Sequence, residues 1–534
     1  MAPWPAPRRR GVAAWTLLAM ALLAARVALL GSPFLLLDDA FISFRYAGNL
    51  VAGQGLVFNP GERVEGYTNF LWTVLLAACH RAGLDMPAMS VVFALLAALG
   101  TIVLLAALAR ALLGGAPAWV VAAPALLFAA TAATTRFVLS GMETALFVFL
   151  VTLGLYLALA VRGRPLATGA VFALAAMTRP EGILYFALVV LDLSLVPPPP
   201  ASRRLAAAAT AAGGFLVLYA PYFAWRYAYY GYLLPNTFYA KATGTGGPLA
   251  ARGLELLPVV IRAASLEAPL LLALAVLPAL ARDPRWRLLA AVVVATGLYF
   301  VLIGGDFLFF FGPRFLLPAL PPLLLCAALG LHRIVGPAGR SRGRALLGAV
   351  LVVALAGNAA WYSWPARFDR LRDVSLLNRS WTAVGHWLES HTPAGAIVAV
   401  GAAGRIPYYS GRRTIDILGL TDLHIAHLEM PPGGGIPGHE KSDPGYVLSR
   451  RPDYIVFARL DPGGRPLMGH WDRVRDELDA GYEMIALAKA SESPGAWILP
   501  ASTYTPELGR QGYRGAIFRR KAPAMSPRQP AAGR

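Results

Sequence analysis

Two adjacent carboxylates, Asp38 and Asp39, are the residues best suited to do chemistry, and they follow directly after an apolar run. Such a pair at a membrane surface can activate a hydroxyl group as a general base, or it can hold a divalent cation. Adjacent aspartates are ordinarily a solvated turn or a helix N-cap. Here Phe41, Phe44 and Tyr46 follow with polar residues between them, a pattern typical of a helix in the membrane interface. This context favours a functional role for the pair.

The composition indicates that membrane-spanning helices position these carboxylates. Of the 534 residues, 57% are hydrophobic and only 14% are charged, with a mean hydropathy of +0.56. A soluble domain carries about 25% charged residues, so soluble, collagen-like and disordered proteins are excluded. Because a span needs about 20 mostly apolar residues, the sequence predicts about eleven spans. They are residues 12–32, 88–111, 117–135, 142–161, 166–178, 183–196, 205–225, 257–280, 287–303, 314–332 and 344–362.

The basic residues indicate how these helices are oriented. The 48 basic and 29 acidic residues give a net charge of +19, which alone would suggest nucleic-acid binding. The arginines form short clusters between apolar runs instead of one patch, so we expect no nucleic acid partner and interpret them as markers of the cytoplasmic side. Residues 68–82 are predicted to form a re-entrant or interfacial helix, which puts every cluster inside and the C-terminal part outside. The clusters are at 8–10, 162–164, 203–204, 282–287 and 340–344.

The acidic residues divide the chain into two parts. Residues 1–362 contain 12 Asp or Glu, and residues 363–534 contain the other 17. We therefore predict a membrane domain at 1–362, with its first outer loop at 33–87. Most of its carboxylates fall at the outer face, together with basic residues that are normally depleted there. A solvated rim would also collect carboxylates, but opposite charges at one face favour a polar cavity for an anionic, hydroxyl-rich ligand.

The C-terminal part has the pattern of an extracytoplasmic α/β domain at 363–518, followed by a disordered tail at 519–534. Residues 381–391 read as an amphipathic helix, and the apolar runs at 396–404, 454–460 and 484–489 read as strands. The glycines around residue 401 lack the full dinucleotide-binding spacing, so we expect no NAD site.

Histidine and aspartate side chains in this domain allow two interpretations. They are Asp416, Asp422, His424, His427 and His439. A metal cluster is disfavoured, because the domain has no cysteines and the spacing is not that of a zinc-binding helix. The favoured interpretation is that all of them except His427 form a polar lid that contacts an acceptor glycan.

The segment 38–72, DDAFISFRYAGNLVAGQGLVFNPGERVEGYTNFLW, resembles the first outer loop of GT-C glycosyltransferases that use polyprenyl-phosphate sugars. Within that family it is most similar to terminal β-(1→2)-arabinofuranosyltransferases. The resemblance continues in chain order through SGMETALF (140–147), TRPEG (178–182), YGYLLPNTFYAK (230–241), GGDFLFFFGPRFLLPALP (304–321), GLTDLHIAH (419–427), GHEKSDPGYVL (438–448) and RRPDYIV (450–456).

This resemblance implies a GT-C fold, in which a polytopic helical core holds the catalytic aspartate in its first outer loop. Asp38 and Asp39 match the acidic pair of the family, with Asp38 favoured as the reacting group and Asp39 as the residue that positions the acceptor or a cation. The leaving group is a lipid phosphate, which needs stabilisation by cations and no proton donor. Arg45, Lys241 and Arg314 are expected to supply that stabilisation.

The remaining matched motifs imply residues that bind the substrates. They are Glu62, Glu65, Tyr67, Glu143, Arg179, Glu181, Asn236, Tyr239, Asp306, Asp422, His424 and His439. Plainer roles stay open for several of them, such as a helix-dipole partner for Glu143, a local ion pair for Arg179 with Glu181, and a membrane-interface belt for the tyrosines. Metal ligands are unknown, and a divalent cation at the acidic pair is the one cofactor that the residues suggest.

The sequence thus predicts a glycosyltransferase of the inner (plasma) membrane, with its active site outside the cytoplasm. It would move a sugar, with arabinofuranose as the first candidate, from a polyprenyl-phosphate donor to an envelope polysaccharide or glycolipid. One alternative is a protein or lipid A glycosyltransferase of the same fold. Another is a transporter of lipid-linked sugars, which the clustering of carboxylates at one face disfavours, since transporters place them near the bilayer midplane.

Overall fold

The computed structural model describes most of the chain. The described residues are 9–196, 200–241, 247–263, 284–305, 314–335, 368–430, 440–458, 470–489, 498–505 and 515–522, with residues 343, 346, 350, 353, 357, 460 and 466. Asp306 and His439, the predicted span at 344–362 apart from four single residues, and the predicted tail beyond residue 522 lie outside this description.

The N-terminal part of the chain is helical. Its α-helices are α1 Arg9–Leu30, α2 Asp38–Val51, α3 Phe70–Arg81, α4 Met86–Leu112, α5 Ala118–Ala130, α6 Ala132–Val138, α7 Thr144–Tyr156, α8 Pro165–Thr178, α9 Gly182–Leu195, α10 Ala201–Tyr230, α11 Asn236–Lys241, α12 Gly247–Ala263, α13 Pro284–Leu302 and α14 Leu320–Val335. Local signals set their ends. Asp85, for example, caps α4 by accepting a hydrogen bond from the amide of Ala88 at 2.8 Å.

Within the described residues, five helices are long and apolar enough to cross a membrane, and the pair α5–α6, bent by 56°, would make a sixth. The five are Arg10–Leu30, Met86–Leu112, Thr144–Val161, Ala201–Tyr230 and Arg285–Leu302. The predicted spans at 166–178 and 183–196 correspond to α8 and α9, each of 14 residues. At 1.5 Å per residue they are about 21 Å long, which is less than a hydrocarbon core of about 30 Å. The total of about eleven spans therefore stays a prediction.

Helices α8 and α10 pack closely because each has a glycine where the two helices cross. A Cβ atom on Gly169 would overlap the backbone of Ala211, and a Cβ atom on Gly214 would overlap the carbonyl oxygen of Leu166. Small residues allow such close backbone approach between membrane helices.

The C-terminal part begins with α15 Phe368–His391 and contains a six-stranded sheet in the order β2-β1-β3-β6-β4-β5. The strands are β1 Ile397–Val400, β2 Arg413–Asp416, β3 Tyr454–Phe457, β4 Tyr482–Ala488, β5 Ile498–Pro500 and β6 Gly515–Arg520, and short helices α16 Arg405–Ser410, α17 Leu423–Ala426, α18 Pro444–Ser449 and α19 Arg475–Gly481 connect them. Strand β1 is parallel to β2 and β3, whereas β6 is antiparallel to β3 and β4.

Alternation along the strands builds two apolar layers around this sheet. Val398 and Val400 of β1 pack with Val384 and Leu388 of α15 on one face. Ala399, between them in sequence, belongs to the core on the opposite face, which includes the buried Trp471.

The sheet docks directly onto the first outer loop, and Asp38 is central to the contact. Its carboxylate accepts hydrogen bonds from the backbone amides of Gly404 at 2.9 Å and Arg405 at 2.7 Å. Position 404 requires glycine because a Cβ atom there would overlap the carbonyl group of Asp38. Burial raises the pKa of Asp38 to about 6, although the two amides oppose this shift.

Arg45, which the resemblance marks as a phosphate ligand, belongs to the same contact. Its guanidinium group is buried and donates to the carbonyl oxygens of Phe58 at 2.7 Å, Pro407 at 2.5 Å and Arg412 at 2.8 Å, and to Asn59 Oδ1 at 3.2 Å. Four of its five N–H donors are thereby satisfied within the protein. Arg45 therefore joins the first outer loop to the sheet.

Replacing Gly214 with Ala tests the close packing of α8 against α10. The added methyl group must push the helices apart, so we expect a loss of roughly 1–3 kcal/mol of stability, measured as a lower Tm in detergent. Gly213→Ala is the matched control, because a Cβ atom on Gly213 meets no atom within 4 Å. Equal melting temperatures for the two variants would contradict the packing account.

The raised pKa of Asp38 makes the stability of the docked state depend on pH. Between its ordinary pKa of 3.8 and about 6, the folded protein holds this proton more tightly than the unfolded chain. The contribution of Asp38 to the free energy of unfolding should therefore fall as the pH rises through this window, and level off above it. We expect the Tm of the wild type minus that of Asp38→Asn to decrease between about pH 4 and pH 6. A difference that is constant with pH would refute the shift.

Candidate active site

A cavity of about 470 Å³ lies where the outer loops of the helical part meet the sheet-containing part. Asp39 and Ser43 of α2 line one wall, and the segment 66–69 continues it. The other walls come from the helix α11, the helix α12, the end of α13 with the following loop, and residues 314–315. Leu420 is contributed by the C-terminal part.

The structure separates the two adjacent aspartates. Asp38 faces the sheet, as described above, whereas Asp39 lines the cavity and its side chain is 21% exposed. Asp39 Oδ2 lies 3.5 Å from Nη1 of the buried Arg314. Of the pair, Asp39 is therefore the carboxylate that a ligand in the cavity can reach.

The cations Lys241, Arg252 and Arg314 line the cavity. Lys241 and Arg314 were expected from the sequence, but Arg252 was not. Arg252 lies in the outer loop between two predicted spans. Basic residues are normally depleted from such loops, so its position could have marked it as functional. Together, these three cations make the cavity suited to bind an anion.

A buried network of charges forms another part of the cavity wall. Arg179 donates from Nη1 to Glu143 at 3.0 Å and from Nη2 to Glu181 at 2.9 Å, and all three side chains are at most 8% exposed. Although burial by itself raises the pKa of Glu181, Arg179 outweighs it and holds that pKa below its usual value. Glu181 is therefore an ionised partner of Arg179 and not a proton donor.

Two neutral residues complete this wall, and the sequence analysis did not identify either. Asn69 donates to Glu143 Oε2 at 2.8 Å, and the hydroxyl of Tyr299 donates to Glu181 at 3.2 Å. Both residues line the cavity. Asn69 falls inside the loop motif that carried the resemblance, whereas Tyr299 lies in an apolar span where nothing in the sequence marked it.

The cavity opens between apolar side chains. Leu234, Phe238 and Leu302 line it and are also 41%, 51% and 67% exposed. We refer to these three residues as the cavity mouth. They belong to helices or loops of the part that carries the apolar spans, so the mouth suits a ligand with a hydrocarbon portion.

Seven of the predicted site residues line this cavity. They are Asp39, Tyr67, Glu143, Arg179, Glu181, Lys241 and Arg314. The aromatic ring of Phe315, which the sequence analysis did not single out, lies 4.8 Å from the guanidinium carbon of Arg179 and 5.0 Å from that of Arg314. Phe315 thus packs between the two arginines through cation–π contacts.

Other predicted substrate-binding residues lie outside the cavity wall and have partners of their own. Glu65 forms a buried ion pair with Arg226 at 2.6 Å, and burial raises its pKa to about 7. Glu62 pairs with Arg413. Asn236 donates to the carbonyl oxygens of Gly419 at 2.9 Å and Leu420 at 3.0 Å. Their observed role is to hold the first outer loop and α11 against neighbouring elements.

The members of the predicted polar lid that the structure describes have local partners. Asp422 caps α17 by accepting from the amide of Ile425, and His424 contacts Asp443 at 2.9 Å. Asp416 is buried and accepts from the amides of Leu418 and Thr421, both at 2.9 Å. These side chains stabilise local turns and do not line the cavity.

Tyr239 likewise points elsewhere, stacking on His427 with ring centroids 4.4 Å apart. Among the side chains in the described ranges, no three His, Cys, Asp or Glu residues lie close enough together to hold a metal ion.

A larger open groove of about 1170 Å³ lies at one edge of the sheet. Four of its charged side chains form two ion pairs, Arg519 with Glu483 at 2.6 Å and Arg520 with Asp453 at 2.5 Å. All four side chains are more than one-third exposed, so water competes with these ion pairs. The smaller cavity, with its buried charges, is the better candidate for an active site.

Comparison with known proteins gives a match to a family model, a curated relative and solved structures of similar fold. The family model, described as a domain of unknown function (DUF8728), matches residues 371–511. The terminal β-(1→2)-arabinofuranosyltransferase of Mycobacterium tuberculosis (strain ATCC 25618 / H37Rv) is 32% identical over 386 residues. That alignment covers 63% of this chain and 59% of the relative, so the chain matches less than two thirds of the length of that protein.

Solved structures resemble the chain over nearly its whole length. ArnT from Cupriavidus metallidurans in the apo state has a TM-score of 0.59 at 14% identity, covering 95% of this chain and 98% of ArnT. The same enzyme bound to undecaprenyl phosphate has a TM-score of 0.56 at 15% identity, covering 95% and 98%. The oligosaccharyltransferase AglB from Archaeoglobus fulgidus, in complex with an inhibitory peptide and a dolichol-phosphate, has a TM-score of 0.53 at 11% identity, covering 92% and 74%. These likenesses show that the chain has the GT-C fold. The M. tuberculosis relative confirms the resemblance to an arabinofuranosyltransferase that the motifs predicted.

Proposed function

We propose that this protein is an integral-membrane glycosyltransferase that moves a sugar from a polyprenyl-phosphate donor to an envelope glycan or glycolipid. The observation that carries the proposal is the cavity itself. It combines a carboxylate, Asp39, with the cations Lys241, Arg252 and Arg314 and a mouth of exposed apolar side chains. A lipid-linked phosphosugar has a matching set of groups: a hydrocarbon tail, an anionic phosphate and a sugar rich in hydroxyls.

In the proposed reaction, the oxygen of an acceptor hydroxyl forms a bond to C1 of the donor sugar. The bond from C1 to the phosphate oxygen breaks, its electron pair stays on the phosphate, and Asp39 accepts the hydroxyl proton as general base. Lys241, Arg252 and Arg314 stabilise the charge that grows on the departing phosphate. This choice of Asp39 replaces the initial preference for Asp38, whose carboxylate is engaged by backbone amides.

Other residues of the cavity lining are suited to holding sugar hydroxyls. Tyr67, Asn69 and Glu143 line the cavity, and their oxygens and amide can accept or donate hydrogen bonds. The Glu143–Arg179–Glu181 network is buried and internally paired, so it would stay rigid while substrates bind. Such preorganisation lowers the entropic cost of aligning the two reacting atoms.

Arabinofuranose is the first sugar to test, because the M. tuberculosis relative is named as an arabinofuranosyltransferase. A polyprenyl-phosphate carrier is supported by the solved structures of similar fold that hold undecaprenyl phosphate or a dolichol-phosphate. We further propose that the reaction takes place outside the cytoplasm at the inner (plasma) membrane, since the arginine clusters assign the opposite face to the cytoplasm.

Changing Asp39 to Asn tests the catalytic assignment. Asparagine keeps the shape of the side chain but cannot accept the proton, so transfer from polyprenyl-phosphoryl arabinofuranose to an arabinan oligosaccharide should fall by about 100- to 10,000-fold. The assay uses purified protein in liposomes and radiolabelled donor. Asp85→Asn is the control, because Asp85 caps α4 in the same outer loop and asparagine caps equally well.

Full transfer activity in the Asp39→Asn variant would refute its role as base. Wild-type protein that moves the labelled donor across the vesicle membrane, with no transfer to any acceptor, would instead support a transporter.

Metal removal tests the other role considered for the acidic pair. Arg314 already faces Asp39 at 3.5 Å, and its charge disfavours a second cation at the same carboxylate. We therefore expect transfer to be unchanged in excess EDTA. Activity that disappears with EDTA and returns with Mg²⁺ or Mn²⁺ would contradict this expectation and assign Asp39 to a metal site.

A further inference from the structure

The motif GHEKSDPGYVL contributes two buried charged residues next to the cavity, although neither lines it. Glu440 and Lys441 are 7% and 5% exposed, and they come from the C-terminal part of the chain. A buried charge is costly unless it has a partner of opposite charge or satisfied hydrogen bonds. Glu440 contacts one cation of the cavity, and Lys441 contacts the helix that carries another.

Glu440 contacts Arg252, the cavity cation that the sequence analysis missed. Its Oε1 lies 2.5 Å from Arg252 Nη1, and the Glu440 side chain is 1% exposed. From another direction, Arg252 Nε donates to the carbonyl oxygen of Gly304 at 3.0 Å. Gly304 has φ +77°, and a Cβ atom there would meet Arg252 Nη2 at 2.8 Å, so glycine both permits the turn and makes room for the guanidinium group.

Lys441 acts on the helix that carries a second cavity cation. Its Nζ donates to the carbonyl oxygens of Tyr239 at 2.9 Å and Ala426 at 2.8 Å. Tyr239 lies in α11, two residues before Lys241. Lys441 therefore ties α11 to α17 of the C-terminal part.

We infer that Glu440 is a positioning residue, which orients Arg252 toward the phosphate of a lipid-linked ligand, while Lys441 holds α11 and with it Lys241. The inference rests on the proposed function. An arginine side chain in water samples many rotamers, and an ion pair with planar geometry selects one of them. The contacts to Glu440 and Gly304 use two of the five N–H donors of Arg252, so the same guanidinium group can also bind an anion.

By this account the C-terminal part completes the anion site without contributing a phosphate ligand of its own. A simple tether between the two parts would make a different prediction. Breaking a tether lowers the stability of the protein and leaves the affinity of the folded protein for phosphate unchanged. Breaking a positioning contact lowers that affinity.

The variant Glu440→Gln separates the two accounts, with undecaprenyl phosphate in nanodiscs as the probe. We expect its Kd to be about tenfold weaker than that of the wild type, a coupling typical of one shared charge network. Glu483→Gln is the matched control, since Glu483 also pairs with an arginine, Arg519, but is exposed and does not line the cavity. Its Kd should equal that of the wild type.

Melting curves recorded without lipid accompany each titration. An unchanged Kd for Glu440→Gln beside a lowered Tm would overturn the inference in favour of a tether. Failure of the wild type to bind undecaprenyl phosphate would overturn the proposed function and this inference with it. Binding by the wild type and equal binding by Glu440→Gln overturn the inference alone.

The exchanged pair Arg252→Glu with Glu440→Arg covers the case in which Glu440→Gln fails to fold. The exchange restores opposite charges across the contact, so we expect a Tm near that of the wild type. It places a carboxylate at the cavity wall, so binding of undecaprenyl phosphate should remain weak. Recovery of both the Tm and the Kd in the exchanged pair would show that any ion pair suffices and would refute the positioning role.

Discussion

The contact between the Asp38 carboxylate and the backbone amides of Gly404 and Arg405 is the interaction on which the candidate site depends. Consecutive residues of an α-helix point about 100° apart, as 3.6 residues make one turn. Once Asp38 is fixed against the sheet, Asp39 must therefore point to a different side, and that side is the cavity. The two adjacent aspartates thus differ in role, with the first anchoring the helix to the sheet and the second facing the cavity.

The remaining contacts of the first outer loop reinforce this anchor with buried charges. Arg45 is surrounded by carbonyl oxygens, and Glu65 is paired with Arg226. Burying a charge costs several kcal/mol unless hydrogen bonds compensate it, so these groups add little net stability. However, any other arrangement of the loop would leave these buried charges without partners, at a large cost in free energy. The loop is consequently held in one position, as a site that must align two substrates requires.

Charge is distributed in the cavity so that the two proposed substrates meet different surroundings. Glu143 and Glu181 share a single arginine, Arg179, so this buried network keeps one net negative charge. The cations Lys241, Arg252 and Arg314 also line the cavity. A lipid phosphate would be drawn to these three cations, and the hydroxyls of a glycan would suit the polar network. Because Arg252 pairs with Glu440 of the C-terminal part, the arrangement of these cations depends on both parts of the chain.

The amino-acid sequence by itself determined the class of protein and the neighbourhood of the site, because hydropathy, charge clusters and local motifs are properties of short segments. Asp39, Glu143, Arg179 and Glu181, which line the cavity, could be singled out for this reason. Tertiary structure alone decided what Asp38, Arg45 and Arg252 do. The partner of Arg45 at Pro407 is 362 residues away, and that of Arg252 at Glu440 is 188 residues away. A side chain in the sequence shows which bonds it can form, but only the folded chain shows which partner is close enough to form them.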